Sequence, residues 1–216
     1  MTYFRELPNL NYQSFLKERN NSTDFIQVKN IFRRAKLRDD LRYIFTSLIS
    51  YYIRDGLRPD IVAENIYGDP GLDWVVLTTA NIINVRDQWP LDSREMYIYA
   101  SNKYGKDLNQ IRHYVTTEVK DSSGRLVFPK GKVVDEGFTI PDPASSTATI
   151  NPVAGVTNYE YETGLNDAKR DIYILDPKYL GIFLKDMRTI MRYKDSSQFI
   201  DTDLIETENT RNTDPN

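Results

Sequence analysis

The single histidine and two pairs of carboxylates are the residues through which this chain could do acid–base chemistry. His113 lies between Arg112 and Tyr114 in a stretch that reads as a strand. A histidine mechanism needs a positioned partner. No motif supplies one, so His113 reads as an exposed strand residue. Glu160 and Glu162 share a face of another predicted strand, and Asp55 and Asp60 flank a predicted helix. Such pairs could hydrolyse a glycosidic bond, but a chain with 31 acidic residues offers many by chance. The acidic end, from Asp195 to Asp214, lacks the D-x-D-x-D-G order of a calcium loop. No glycine motif cradles a phosphate. Without cysteine there are no disulfides, thiolate nucleophiles or cysteine metal sites. No catalytic residue, metal or cofactor is therefore expected.

The residues suited to binding are aromatic and basic. The chain of 216 residues has 15 Tyr, 9 Phe and 2 Trp. Tyrosine suits half-wet surfaces, because its ring packs while its hydroxyl stays hydrogen-bonded. Trp74 lies beside a helical apolar stripe and reads as core. Trp89, before Pro90, reads either as core or as a partner anchor, tryptophan being enriched at binding hot spots. Residues 25–45 carry the densest charge, with Arg33, Arg34 and Arg38 among six basic positions. They form either a solvated face or a docking patch for an acidic surface. A net charge of -3 argues against a nucleic-acid partner. No stretch approaches the ~18 apolar residues of a membrane helix. Met1 to Leu10 holds Arg5, Glu6 and Pro8 and no apolar run, so no signal peptide is expected.

These residues must be positioned by a mixed α+β fold, with 40% hydrophobic and 27% charged residues as in globular chains. Residues 1–24 read as an extended arm, broken by Pro8 and Asn20-Asn21-Ser22. Val28, Ile31, Phe32 and Ala35 recur at helical spacing and predict a short helix. Thr46 to Arg54 reads as a strand, and Asp55-Gly56 as a turn. Pro59 opens a helix that Gly68 closes, with Ile61, Val62, Ile66 and Tyr67 on its apolar face. Asp69-Pro70 opens a second helix lined by Leu72, Val75, Val76, Ala80 and Ile83. Asp92 and Glu95 start a third, which runs to Tyr104-Gly105.

Strands are then predicted at Ile111 to Val119, Arg125 to Val134, Tyr159 to Thr163 and Asp171 to Leu175. Hairpin turns are expected at Asp121 to Gly124 and Gly164 to Asp167, and a long loop over residues 141–155. Asp176-Pro177 opens a last helix with a stripe of Leu180, Phe183, Leu184, Met187, Ile190 and Met191. Residues 195–216 form an acidic tail of low hydrophobicity, too polar to fold alone. The expected organisation is an arm and basic segment (1–45), a strand-helix-helix core with its following helix (46–105), a β-rich region with a closing helix (106–192) and an acidic tail (193–216).

The stretch YYIRDGLRPDIVAENIYGDPGLDWVVLTTANIIN resembles a LysM-type module. Tyr52, Gly56, Ile61, Ala63, Tyr67, Gly68, Leu77, Asn81 and Ile83 take the places of its pattern. That resemblance implies a LysM-like core and, as one function, binding of peptidoglycan or chitin. The pattern departs after Ile83, where Val85 to Leu91 and a helix stand in place of the closing strand.

A longer resemblance uses the flanks. VKNIFRRAKLRD (28–39), Arg58-Pro59-Asp60, Ile66-Tyr67-Gly68-Asp69-Pro70, Trp74-Val75-Val76-Leu77 and Trp89-Pro90 together resemble the baseplate wedge protein 53 family of contractile-tailed bacteriophages. The likeness is specific over residues 28–105 and weaker over 106–192. It implies a non-enzymatic structural subunit of the virion tail baseplate, assembled in the host cytoplasm in multiple copies of a six-fold structure. It would join neighbouring wedges around the central hub. Its partners would be other wedge subunits and neighbouring wedges, with hub and sheath-initiator proteins as further candidates. Because the arm and basic segment lack a core of their own, they are expected to lie on neighbouring subunits. Phe4, Tyr12, Phe15, Phe32, Arg33, Arg34, Arg38 and Trp89 are the expected interface residues.

Overall fold

The computed structural model describes residues 2–13, 25–33, 47–145 and 147–207. In chain order the elements are α1 (Tyr3–Glu6), β1 (Asn9–Gln13), β2 (Phe25–Lys29), β3 (Leu48–Tyr52), α2 (Pro59–Tyr67), α3 (Asp73–Thr79), α4 (Val85–Gln88) and α5 (Ser93–Tyr104). There follow β4 (Ile111–Thr116), β5 (Val119–Lys120), β6 (Leu126–Phe128), β7 (Val133–Val134), β8 (Ile140–Pro141), β9 (Thr149–Ile150) and β10 (Val153–Thr157). The last are α6 (Asn158–Asp167), β11 (Asp171–Leu175), α7 (Leu180–Met191), β12 (Phe199–Asp201) and β13 (Leu204–Glu206). The fold is mixed α+β, as the sequence predicts. It divides into two compact units: Met1–Ile53 with Leu57–Gln88 and Ile172–Asn216, and Arg54–Gly56 with Trp89–Asp171.

The helical part of the first unit forms as its punctuation dictates. Pro59 occupies the first turn of α2, and Gly68 closes it in the left-handed region with φ 73°. Asp69 accepts a bond from Gly71 N–H and caps a 3-10 turn (Pro70–Leu72) that leads into α3. At the end of α3, Ile82 N–H donates to Leu77 O and Asn81 N–H to Thr78 O, with Asn81 at φ 58°. This is the paired bonding of a Schellman C-terminus, with asparagine in the usual glycine place. Val62, Ala63, Leu72, Trp74, Val75 and Val76 are buried. Ile66 is half-buried and Ile61 is exposed at 37%. The inward face of α2 thus runs through Val62 and Ala63, one position on from the predicted Ile61.

β3 finds its strand partner far along the chain. β3 pairs with β11. Asp176 N–H donates to Ser47 O, joining the exit of β11 to the entry of β3, the crossing expected of an antiparallel pair. Ile172 and Ile174 point inward from β11.

The two chain ends build one sheet, ordered β12-β13-β1-β2. β1 runs parallel to β13 (Asn9 opposite Leu204, Asn11 opposite Glu206) and antiparallel to β2. The predicted helix of the basic segment is therefore strand over Phe25–Lys29; Ala35 lies outside the described residues. Phe25, Ile26 and Val28 have strand propensity, and the backbone pairing to β1 overrides the helical spacing. The arm and tail are likewise not bare extensions across residues 2–13 and 195–207. Each lacks a core, and they order against one another. α1 also lies on its own unit: Tyr3 packs on Trp74 at 5.7 Å, and Trp74 on Phe183 at 5.9 Å.

In the second unit, Asp92 caps α5 by accepting from Glu95 N–H. β10-β4-β7 form a three-stranded sheet, and β5-β6 and β8-β9 form ribbons. The Asp121–Gly124 turn joins β5 to β6 as predicted. The predicted 141–155 loop contains β9 and the start of β10. The predicted strand 159–163 and the turn 164–167 are both parts of one helix, α6. Its capping box pairs Thr157 with Glu160.

Candidate assembly surfaces

Register places Leu10, Tyr12, Ile26, Val28, Phe199 and Ile205 on one face of the terminal sheet, and Phe25 and Leu204 on the other. Leu10 stands opposite Val28 and Ile205, Tyr12 opposite Ile26, and Phe199 opposite Ile205. Directly paired residues share a face, so one side of this sheet is apolar throughout. Tyr12, Ile26 and Val28 are exposed, and Leu10, Phe199 and Ile205 are half-buried. The other face carries Asn9, Asn11, Gln27 and Lys29, with Asn11 Nδ2 donating to Glu206 Oε2 at 3.5 Å. The apolar side continues into the turn after β2, where Ile31 is 65% and Phe32 87% exposed. Asn30 Oδ1 accepts from Phe32 N–H and shapes that turn. Phe32 is the most exposed of the large apolar side chains described.

The predicted interface residues separate into distinct environments. Phe4, Tyr12 and Phe32 face solvent. Arg33 is engaged on its own chain. Its guanidinium donates to Ile190 O and Arg192 O at 3.0 and 2.9 Å and stacks over Tyr193 at 5.1 Å. It thereby satisfies carbonyls at the end of α7, where a helix leaves acceptors without partners. Trp89 is buried, 7% exposed. Phe15, Arg34 and Arg38 lie outside the described residues. Sequence reasoning passed over Ile26 and Ile31 as surface residues, although Ile31 adjoins Phe32 in the same apolar dipeptide.

The residues weighed for chemistry are held in structural bonds. Asp60 pairs with Arg58 at 2.9 Å, and Glu160 completes its capping box. His113 meets Tyr161 edge-on at 5.8 Å. Glu162, 5% exposed, accepts from Lys103 Nζ at 2.8 Å and Tyr104 hydroxyl at 2.6 Å. Burial raises its pKa, but the bonds from Lys103 and Tyr104 outweigh burial and leave it below the usual carboxylate value. Asp55 accepts from Ser93 and from Arg170, and these bonds hold its pKa down. Arg170 is buried and also binds Asp167 at 2.9 Å and Leu91 O at 3.3 Å. Among the described residues no group of three or more His, Cys, Asp or Glu is placed to hold a metal ion. No helix among them is long and apolar enough to cross a membrane.

A surface of exposed aromatic and aliphatic side chains on bonded frames is what an assembly component presents. Residues 4–125 match the family model described as Base plate wedge protein 53. That match defines the class, a structural protein of the phage tail base plate. It covers more than half of the sequence, and the chain belongs to the Base plate wedge protein 53 family. Its place is the virion tail base plate, in association with other base plate proteins. No curated protein matches the chain.

Proposed function

We propose that the chain is a non-catalytic joint of the base plate wedge. It links neighbouring wedges around the central hub through the apolar face of the terminal sheet. Multiple copies act in a six-fold structure put together in the host cytoplasm, with hub and sheath-initiator proteins as further partners. The observation that carries this reading is the Ile31-Phe32 pair, two large apolar side chains in water at the edge of an apolar sheet face. Exposed apolar surface of this kind is retained for contact, and a specific interface of standard size covers ~800 Å² per partner. Phe4 and Tyr12 extend the same role to the first strand and helix.

The test replaces Ile31 and Phe32 together by Asp in a purified wedge-assembly reaction. Both side chains are exposed, so the isolated protein should keep its stability within about 0.5 kcal/mol while incorporation fails. Wild-type incorporation would remove this turn from the interface.

A second reading is favoured by one observation, the strand-helix-helix-strand order β3-α2-α3-β11. This is the order of a LysM-like module whose last strand comes late in sequence, and it motivates a test for peptidoglycan or chitin binding. Against it, Asp55 of the turn after β3 is bonded to Ser93 and Arg170. Saturable retention on insoluble peptidoglycan would support this second reading.

A further inference from the structure

α1, the turn after it, β2 and the end of α7 enclose a cleft of about 290 Å³. Four cations line it, Arg5, Lys29, Arg188 and Arg192, against two carboxylates, Glu6 and Asp203. Two of the cations are engaged. Arg188 forms a two-bond pair with Glu6, Nε to Oε2 at 2.7 Å and Nη2 to Oε1 at 3.0 Å. Lys29 Nζ donates to Leu7 O at 2.9 Å. The Arg188 guanidinium holds the Glu6 carboxyl below its ordinary pKa. Arg5 and Arg192 are exposed, and their side chains make no hydrogen bond or ion pair with the described residues. The cleft therefore carries a surplus of positive charge on two unpaired guanidiniums. Phe4, 60% exposed, precedes Arg5 in the same helical turn.

We propose that this cleft receives carboxylate side chains of an acidic segment on a neighbouring base plate protein, which Arg5 and Arg192 grip. The proposal rests on the base plate role. Guanidinium matches carboxylate as a planar fork, with two bonds available per pair. An exposed aromatic beside unpaired arginines is also the composition that protein interfaces favour. The fixed Glu6–Arg188 pair forms one wall and stays closed to an incoming acid. Of the three arginines that the sequence offers for docking, Arg33 is committed to the end of α7, whereas Arg5 and Arg192 are unpaired among the described residues.

The probe is a fluorescein-labelled hexaglutamate peptide, followed by anisotropy on the full chain at low salt, with a hexaglutamine peptide as control. Saturable binding of hexaglutamate alone is expected, weakened about tenfold or more in an Arg5→Ala, Arg192→Ala double variant with an unchanged melting temperature. The Arg5→Lys, Arg192→Lys variant should recover part of the binding. Equal binding by the Ala variant and the wild type overturns the proposal, as does no binding to the wild type. Displacement by inorganic phosphate at concentrations that leave sulfate without effect would assign the cleft to phosphate groups and overturn it too. The same Ala variant is then added to the wedge-assembly reaction. Loss of incorporation is expected. Loss of peptide binding with normal incorporation would overturn the use of this cleft in assembly while leaving the base plate role standing.

Discussion

Each unit is held together internally by a different balance of apolar packing and polar bonding. The first is made of three separate stretches of chain, closed by apolar packing around Val62, Val75, Val76 and Ile174, each fully buried. The second is one nearly continuous stretch; Leu91, Tyr104 and Tyr159 pack on a small apolar cluster of Met96, Ala100 and Leu108, but the buried residues of α6 are polar. Asn158, Glu162 and Asn166, spaced four apart, form the buried face of α6. Asn158 donates to Asp107 O, Glu162 receives Lys103 and Tyr104, and Asn166 both accepts from and donates to the backbone of Leu91. An apolar core tolerates approximate shape. A buried polar face is stable only when every partner is in place, and so it fixes a single geometry. The second unit is therefore the more exactly specified, and the first depends more on the sheer area it buries.

Three substitutions probe that contrast, in order of expected effect. Trp74→Ala removes the side chain under Tyr3 and Phe183, and a loss of about 3–5 kcal/mol is expected. Hydrogen exchange should show α1 and β1 losing protection while α5 and α6 keep theirs. Equal loss in both units would mean that they unfold as one. Arg170→Met removes one donor each from Leu91 O, Asp55 and Asp167, while Asn166 still donates to Leu91 O and Ser93 to Asp55. A loss of about 2–3 kcal/mol is expected in denaturant titration. Stability at or above wild type would show that packing alone suffices there.

Glu162→Gln is the smallest change, about 1–2 kcal/mol at neutral pH, and it depends on pH. Because the folded-state pKa of Glu162 is lowered, its contribution is full above the ordinary carboxylate value near ~4.3. It disappears as pH falls through the folded value. Melting curves of wild type and variant should therefore converge in acid. A gap that persists down to about pH 2 would show that the carboxylate charge is not what Lys103 and Tyr104 hold.

The same contrast explains what the sequence reveals. Pro59, Gly68, Asp69-Pro70 and Asp92 punctuate helices locally, and α2, α3 and α5 stand where those signals put them. In α6 the buried positions are Asn158, Glu162 and Asn166, so no apolar stripe marks the helix, and the alternating Tyr159, Tyr161 and Thr163 imitate a strand. The β3–β11 and β1–β13 pairings join residues far apart, for which one sequence contains no signal. Among the candidate interface residues, the exposure of Phe32 and Phe4 is legible because their segments have no local core to enter. The role of Arg33 is not legible, because its acceptors are backbone carbonyls 157 and 159 residues away. Arg5 and Arg192 become neighbours of one cleft only through the fold.

The parallel pairing of β1 with β13 also sets a clock on synthesis. Asn11 and Glu206 are 195 residues apart. At ~5–20 residues per second, β1 leaves the ribosome ~10–40 s before its partner strand exists. The stretch from Trp89 to Asp171, which with Arg54–Gly56 makes up the second unit, is finished earlier. The terminal sheet closes last, so a nascent or truncated chain has no complete apolar face to offer a neighbour. A chain truncated before Leu204 would leave β1 without its parallel partner strand.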